Sequence, residues 1–468
     1  MVTLTAFDPP ADETAAVLDE VGALVAELVT GAAERKVLGH DRGEALAARL
    51  LATRPGATPR ELGSVLDELR EVLATGVDNA APGEFAYIPG SGLLTSALGE
   101  LIASVANRYT GLAGFTPAAV ALEQSVLRWL TELFDLPERA QAVLLAGGSA
   151  ANLSALVAAR EKHAGGRADL ATVYVGQHAH ASVRKAARIA GIPAEQIRVC
   201  GSTDGARIDP EAVRIAIKQD ESDGFVPIAV VGAAGTTNAG AVDPLGDLAG
   251  IAHDAGIWFH VDAAYGGFFQ LTERGRTRLA GIELADSITL DPHKSLFLPF
   301  GTGALLVRDR DDLVRAFGEE ADYLRDHEAS GSDDLDRLPD FSSLTPELTR
   351  AWRGLRLWLP LQLHGVDAYR DALDRTLDLT VHAREVLEAD PNVEVVGTSD
   401  LSILTFRVPG GDARQDELLA AVHTDGRVHL SSTVIDGRVV IRLATLSHRT
   451  TPATVGLALE LIRAAAAR

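Results

Sequence analysis

The sequence predicts an α/β fold with a mostly parallel sheet covered by helices on both faces. Three observations carry that expectation. From about residue 141, short apolar runs alternate with amphipathic helical stretches. To about residue 80 the chain reads as helix alone, and beyond a long helical stretch ending near residue 388 it becomes α+β.

The elements follow in chain order. ADETAAVLDEVGALVAELV and TPRELGSVLDELREVLATG place apolar residues three and four apart. Asp12 and Thr58 are the expected N-caps, with Pro59 at the first helical position of the second stretch. This part is expected to be a helical arm lying on the main body or on a second subunit. A loop, APGEFAYIPGSG, leads to two more helical stretches, the second starting at Thr116-Pro117 and stopping at Pro137. Strand and helix then alternate: AVLLAG with SAANLSALVAAR, ATVYVG with HASVRKAARIAG, IRVC with DPEAVRIAIKQD, and PIAVVGAAG with DPLGDLAGIAHDAG. The runs IWFHVDAA, SITLDP and GALLVR complete the set. In such sheets ligands sit beyond the carboxyl ends of the strands. Residues 318–347 are polar and acidic and are expected to form a mobile functional loop. A helix is expected from about Leu348 to Glu388. NVEVVG, SILTFRV, RVHLSS and RVVIRLA then read as strands, and DARQDELLAAVHTDG and TPATVGLALELIRAAAAR as helices. Three parts are expected: a helical segment over 1–85, a large α/β domain over 86–360 and a small α+β domain over 361–468.

Composition removes other classes. The 468 residues include 65 acidic and 43 basic ones, for a formal net charge of -22. That balance opposes a nucleic-acid surface. A single cysteine, Cys200, can form neither an internal disulfide nor a cysteine-based zinc site, and it reads as a buried structural residue. No stretch of about 18 residues is apolar and free of charge, so no membrane span is expected. The N-terminus lacks the basic and apolar regions of a signal peptide. A soluble cytoplasmic protein is the expectation, with acidity serving solubility.

Two residues stand out for chemistry. Asp262 ends an apolar strand, and Lys294 follows another strand 32 residues later. A buried lysine is costly as an ammonium, so it becomes a nucleophilic amine able to condense with carbonyls such as pyridoxal phosphate. A pyridinium nitrogen then needs a carboxylate partner, and Asp262 is the candidate. Either residue alone could be a strand cap or a surface lysine; the pair within one sheet points to chemistry. LLAGGSAANL sets Gly147, Gly148 and Ser149 between strand and helix, where a phosphate can approach the backbone. His180 opens a helix and could stack on a cofactor ring or simply cap; His178 is equally open. Thr236 and Thr237 sit at a strand end, where they could bond a cofactor or shape a turn. Only Lys294, of five lysines, follows a strand and precedes an apolar run, SLFLPF.

Together, HVDAAYGG, LDPHK, GGSAANL, QHAHASV, GTTNAGAVDP and LEQSVLRWL resemble the group II pyridoxal-phosphate-dependent amino-acid decarboxylases, best known from the aromatic-L-amino-acid decarboxylases. The resemblance runs in order over roughly residues 80 to 445. It implies fold type I, with a seven-stranded sheet, and a homodimer with composite sites. Lys294 matches the Schiff-base lysine and Asp262 the partner of the pyridine nitrogen. Ala264 matches the small residue beneath the ring and His180 the histidine above it. Gly148 and Ser149 match phosphate-binding positions, and Thr237 a threonine near the cofactor's substituents. His293 matches the histidine beside the lysine, and Phe300 a residue offered to the neighbouring subunit. Tyr323 matches the loop tyrosine that protonates the substrate carbanion.

Departures concern the pocket. Asp291 stands where the aromatic decarboxylases usually carry Asn, and a carboxylate near phosphate is repulsive unless turned away or paired. Tyr87 and Pro89 keep the family pattern, whereas Ile88 and Gly111 replace aromatic rings, so the pocket reads as less aromatic. The implied reaction is α-decarboxylation of an L-amino acid, aromatic or bulky, to the amine and CO₂. Aldehyde synthases, aminotransferases and carbon–carbon lyases use the same cofactor and fold. The presence of both Tyr323 and His180 favours simple decarboxylation. Retention of Lys294, Asp262 and Tyr323 disfavours a non-catalytic binding protein. No metal is expected.

Overall fold

Seven strands form the central sheet of the computed structural model, which describes residues 4, 6–39, 43–319 and 338–468. They are β1 (Gln141–Leu145), β2 (Ala171–Gly176), β3 (Ile197–Cys200), β4 (Val226–Ala233), β5 (Trp258–Asp262), β6 (Ser287–Leu290) and β7 (Gly303–Val307). Their order is β1-β7-β6-β5-β4-β2-β3. β7 runs antiparallel to both of its neighbours, and the other four pairings are parallel. β1, β5, β6 and β7 are buried along their whole length, as expected for strands covered on both faces.

Helices α1 (Ala11–Thr30), α2 (Glu44–Ala52) and α3 (Leu62–Leu73) open the chain. α1 and α3 each bury a single residue, Leu24 and Leu66, and α2 buries none. Their starts differ from expectation. α1 begins after Pro10, so Asp12 lies in its first turn rather than at the cap. α3 begins at Leu62, and Thr58 and Pro59 remain outside it, because Glu61 takes the extended conformation before the first turn. α4 (Leu94–Ala106) and α5 (Pro117–Leu133) come next. Pro117 does occupy the first turn of α5, but the Thr116 hydroxyl bonds the Tyr109 carbonyl instead of capping.

α6 (Gly148–Ala164), α7 (Ala181–Ile189), α8 (Pro210–Ser222) and α9 (Leu245–Asp254) follow the first four strands and cover the sheet. Short helices α10 (Glu273–Arg278), α11 (Pro292–Ser295) and α12 (Arg310–Phe317) follow the last three. The long helix α13 starts at Gly354, six residues later than expected, and ends at Glu388 as expected. Arg350 and Arg353 just before it turn inward instead of joining the helix. Pro360 lies inside α13, and Gly365 at φ 72 breaks its regular course.

A second, antiparallel sheet has the order β10-β11-β9-β8, from β8 (Glu394–Val396), β9 (Ile403–Arg407), β10 (Ser431–Ile435) and β11 (Arg438–Ala444). β10 begins where the expected strand RVHLSS was to end, since the residues before it pair only through an isolated bridge between Glu84 and His429. α14 (Asp412–His423) and α15 (Pro452–Ala466) cover this sheet. α13 spans both cores: Leu373 and Leu377 pack on the large one, and Leu379, Ala383 and Leu387 on the small one. Most of the loop expected over 318–347 lies outside the described residues; its last part is anchored by Phe341 and Leu344, both buried.

Candidate active site

The carboxyl ends of β1, β2, β4, β5 and β6 open on a cavity of about 630 Å³. β7 runs the other way, so its first residue, Gly303, reaches the same edge. There the backbone is too crowded for side chains. A Cβ on Gly303 would come within 2.5 Å of Gly147, and Gly147 itself has φ 151, a region open essentially to glycine. α6 starts at this point with no side-chain cap, leaving backbone donors and the positive end of its dipole at the cavity. Gly148, Ser149, Ala264, Thr237, Asp262, His180, His293 and Lys294 all line that cavity.

Asp262 is buried at the end of β5 and is held from two sides. Its Oδ2 accepts from Asn152 Nδ2 at 3.0 Å, and its Oδ1 from the Ala264 backbone N–H at 3.2 Å. Asn152 lies on α6, and its Oδ1 meets His260 Nε2 at 2.9 Å. Burial holds the His260 imidazole well below its ordinary range, against the pull of Asp262, so it is neutral. His180 is the N-cap of α7 and a cavity residue at once; its Nδ1 accepts from the Ser182 backbone N–H at 3.2 Å.

Lys294 sits on α11, whose single turn begins at Pro292 and follows β6 directly. Its Nζ lies 3.0 Å from Asp291 Oδ2. Asp291, whose side chain is only 4% exposed, is therefore paired with the lysine, and its Oδ1 is buried without a hydrogen-bond partner. A Cβ on Gly148 would come within 2.9 Å of Asp291 Oδ2, so the carboxylate stands beside the start of α6. His293 Nδ1 donates to the Thr302 carbonyl at 2.6 Å and its ring meets Phe300 edge-on.

These residues suit a phosphate-bearing aromatic aldehyde. The uncapped start of α6 offers N–H donors to a phosphate, Lys294 an amine, and Asp262 a buried carboxylate. The comparisons agree. The pyridoxal-dependent decarboxylase conserved domain matches residues 47–409. The chain belongs to the pyridoxal-dependent decarboxylase family. Its cofactor is pyridoxal 5′-phosphate and it is a carboxy-lyase. It is 33% identical over 404 residues to an aromatic-L-amino-acid decarboxylase of Bacillus atrophaeus, covering 85% of this chain and 83% of that one. It is 34% identical over 369 residues to an L-2,4-diaminobutyrate decarboxylase of Rhizobium meliloti (strain 1021), covering 78% and 73%. The Oryza sativa TDC crystal structure with PLP and tryptamine superposes with a TM-score of 0.92 at 27% identity, covering 99% of both chains.

In this decarboxylase, Tyr87 and Ile88 line the cavity, and Pro89, Gly111 and Phe300 do not. A Cβ on Gly111 would meet the Tyr109 hydroxyl at 2.5 Å, so the glycine serves a close internal approach rather than widening a pocket. Phe300 is 60% exposed and packs edge-on against His293. Tyr323 lies outside the described residues. Thr237 stands exposed at the cavity edge, whereas buried Thr236 ties its own turn to Ala241. His178 is held by Asn238 and the Gly205 carbonyl and supports the wall from behind. Cys200 is buried and free.

Residues missed by sequence reasoning also shape the decarboxylase site. Arg442 on β11 lines the cavity, donating to the Asn238 carbonyl and to Ser431 Oγ, and burial pulls its guanidinium below the ordinary range. The available signal was Arg442, the arginine inside the apolar run of RVVIRLA. His260 precedes Asp262 by two residues and so shares its side of the strand. Asn152 and Ser182 stood inside quoted motifs without a role.

Proposed function

We propose that this decarboxylase converts an aromatic or bulky L-amino acid to its amine and CO₂. The observation that carries the reading is the convergence of Lys294, Asp262 and the Gly147–Ser149 turn, from three strand ends, on one cavity. The aromatic-L-amino-acid decarboxylase relative and the tryptamine-bound TDC support an aromatic substrate. The apolar walls at Ile88, Ala146 and Ile403 support it too.

Bound pyridoxal phosphate supplies an electron sink for the pair released at Cα when CO₂ leaves. Lys294 would supply the amine that holds the cofactor. Asp262 would keep the proton on its ring nitrogen. Gly148 and Ser149 would present N–H groups to its phosphate, and Thr237 and His293 would help hold it. Ala264 and His180 would help hold its ring. Tyr323 delivers the proton to Cα, which yields amine rather than an oxidised product. Closing the cavity around these groups excludes water and dioxygen.

A panel of L-amino acids, assayed together for CO₂, amine, aldehyde and hydrogen peroxide, tests the reading. Equimolar CO₂ and amine from aromatic substrates is the expected result. Absence of CO₂ from every aromatic substrate overturns it. Tyr323→Phe is expected to lower amine formation by about 10²-fold and to divert turnover to aldehyde, with dioxygen as oxidant. Unchanged amine output removes that role from Tyr323.

We also propose a cytoplasmic homodimer with shared sites and the domain limits expected from sequence. Leu98, Leu101, Ile102 and Val105 form an exposed apolar run on α4, and Leu18, Val21 and Val25 another on α1. A second copy is the occupant these faces suit, and Phe300 would then reach its site. Light scattering of active enzyme tests this; a fully active monomer overturns it. Among the described residues no helix is long and apolar enough to cross a membrane.

A further inference from the structure

Behind the cavity runs a chain of hydrogen bonds whose direction can be read from its two ends. At one end the indole of Trp258, which can only donate, gives its Nε1–H to Ser287 Oγ at 2.7 Å. Ser287 Oγ is in turn 2.7 Å from His260 Nδ1. At the other end the Ser182 backbone N–H, also a donor only, meets His180 Nδ1. That nitrogen is therefore an acceptor, and the Ser182 hydroxyl, 2.7 Å away, donates to it as well. With its hydrogen so engaged, Ser182 Oγ accepts from Asn152 Nδ2 at 2.9 Å.

The orientation of one amide follows. Asn152 must turn Nδ2 to Ser182 and Oδ1 to His260, whose Nε2 then donates across 2.9 Å. Thr289 Oγ1 lies farther from the same nitrogen, at 3.4 Å. His260 Nδ1 accepts from Ser287, which matches a neutral ring with one hydrogen. The second hydrogen of Asn152 Nδ2 points at Asp262 Oδ2. Each donor in the chain has one acceptor, and the side chains of Trp258, Ser287, His260 and Asn152 are buried.

We propose that Asn152 is a positioning residue that, through a single amide, fixes Asp262 as an acceptor and turns the Ser182 hydroxyl onto His180 Nδ1, reinforcing the tautomer that the Ser182 N–H selects, protonated on Nε2. The proposal rests on the roles given above to Asp262 and His180. One group thus holds Asp262 directly and braces His180 through Ser182. The hydrogen His180 can offer the cavity is then on Nε2, and Nδ1 is never available as a donor there.

Neutron diffraction from deuterium-exchanged crystals of the holoenzyme tests the direction of the chain. Deuterium on His180 Nε2, on His260 Nε2 and on both positions of Asn152 Nδ2 is the expected result. Deuterium on His180 Nδ1 or on Asp262 Oδ2 overturns it. Asn152→Asp keeps the shape but replaces both donors with an acceptor beside Asp262. Titration of its apoenzyme with pyridoxal phosphate, followed by visible absorbance, should show affinity lower by about ten- to a hundredfold, the loss of a hydrogen bond to a charged group. Unchanged affinity in the folded variant overturns the proposal, and if the variant does not fold the wild-type neutron map decides. A wild-type protein that never acquires the cofactor's absorbance defeats the functional reading instead, a result distinct from a reversed chain in a protein that does acquire it.

Discussion

Lys294→Ala is expected to lower CO₂ release by on the order of 10³-fold or more and to abolish the visible absorbance of the lysine-bound cofactor. The amine reaches the cavity from α11, directly after β6. Its removal also takes from buried Asp291 the cation 3.0 Å from Oδ2, leaving His293 Nδ1 at 3.7 Å from Oδ1. Lys294→Arg separates the two effects. A guanidinium keeps a positive charge near Asp291 but cannot condense with an aldehyde at neutral pH. The arginine variant should therefore be as inactive as the alanine variant yet closer to wild type in thermal stability. Turnover within tenfold of wild type in either variant would remove Lys294 from the chemistry.

Arg350→Ala is expected to destabilise the fold by about 3–5 kcal/mol, the usual cost of breaking a fully buried ion pair from one side. Arg350 and Glu123 meet at 2.6 Å, and both side chains are 0% exposed. Glu123 also accepts the Gly354 N–H that starts α13. Arg350 lies over the Phe341 ring, 4.6 Å from its centroid, and reaches toward the Leu144 carbonyl at the end of β1. The pair thus fastens the chain after residue 338 to the strand that leads into the Gly147–Ser149 turn. Urea unfolding of the holoenzyme measures the loss. Replacing both partners, as Arg350→Met with Glu123→Leu, should recover much of it, because no lone charge then remains buried. A single-variant loss below about 1 kcal/mol would show that the pair is not what holds this segment.

The chemistry was legible in the sequence because its signals are local. A strand end followed by a glycine turn, a strand ending in Asp262, and a lysine after a strand all follow from a few adjacent residues. Helix starts were less legible. Thr58-Pro59 has the right residue types for a cap, yet the backbone enters α3 only after Glu61. Strand β10 was displaced because the backbone at His429 pairs with the Glu84 segment rather than with a sheet partner. Asp291 was seen as a possible repulsion, and only its partner answers the question: Lys294, one turn further on, neutralises it.

By itself the sequence determined the α/β class and singled out the two residues proposed to carry the pyridoxal chemistry. Those depend on periodicity and on what a strand end can present, which neighbours in the chain decide. Tertiary structure alone decided which groups hold them. Asn152, His260 and Asp262 come from α6 and β5, Ser182 from α7, Arg442 from the second sheet, and Arg350 meets Glu123 across the core. Hydrogen-bond direction and burial are properties of such distant pairs. They exist only once the sheet has brought the strand ends to one edge and excluded water between them.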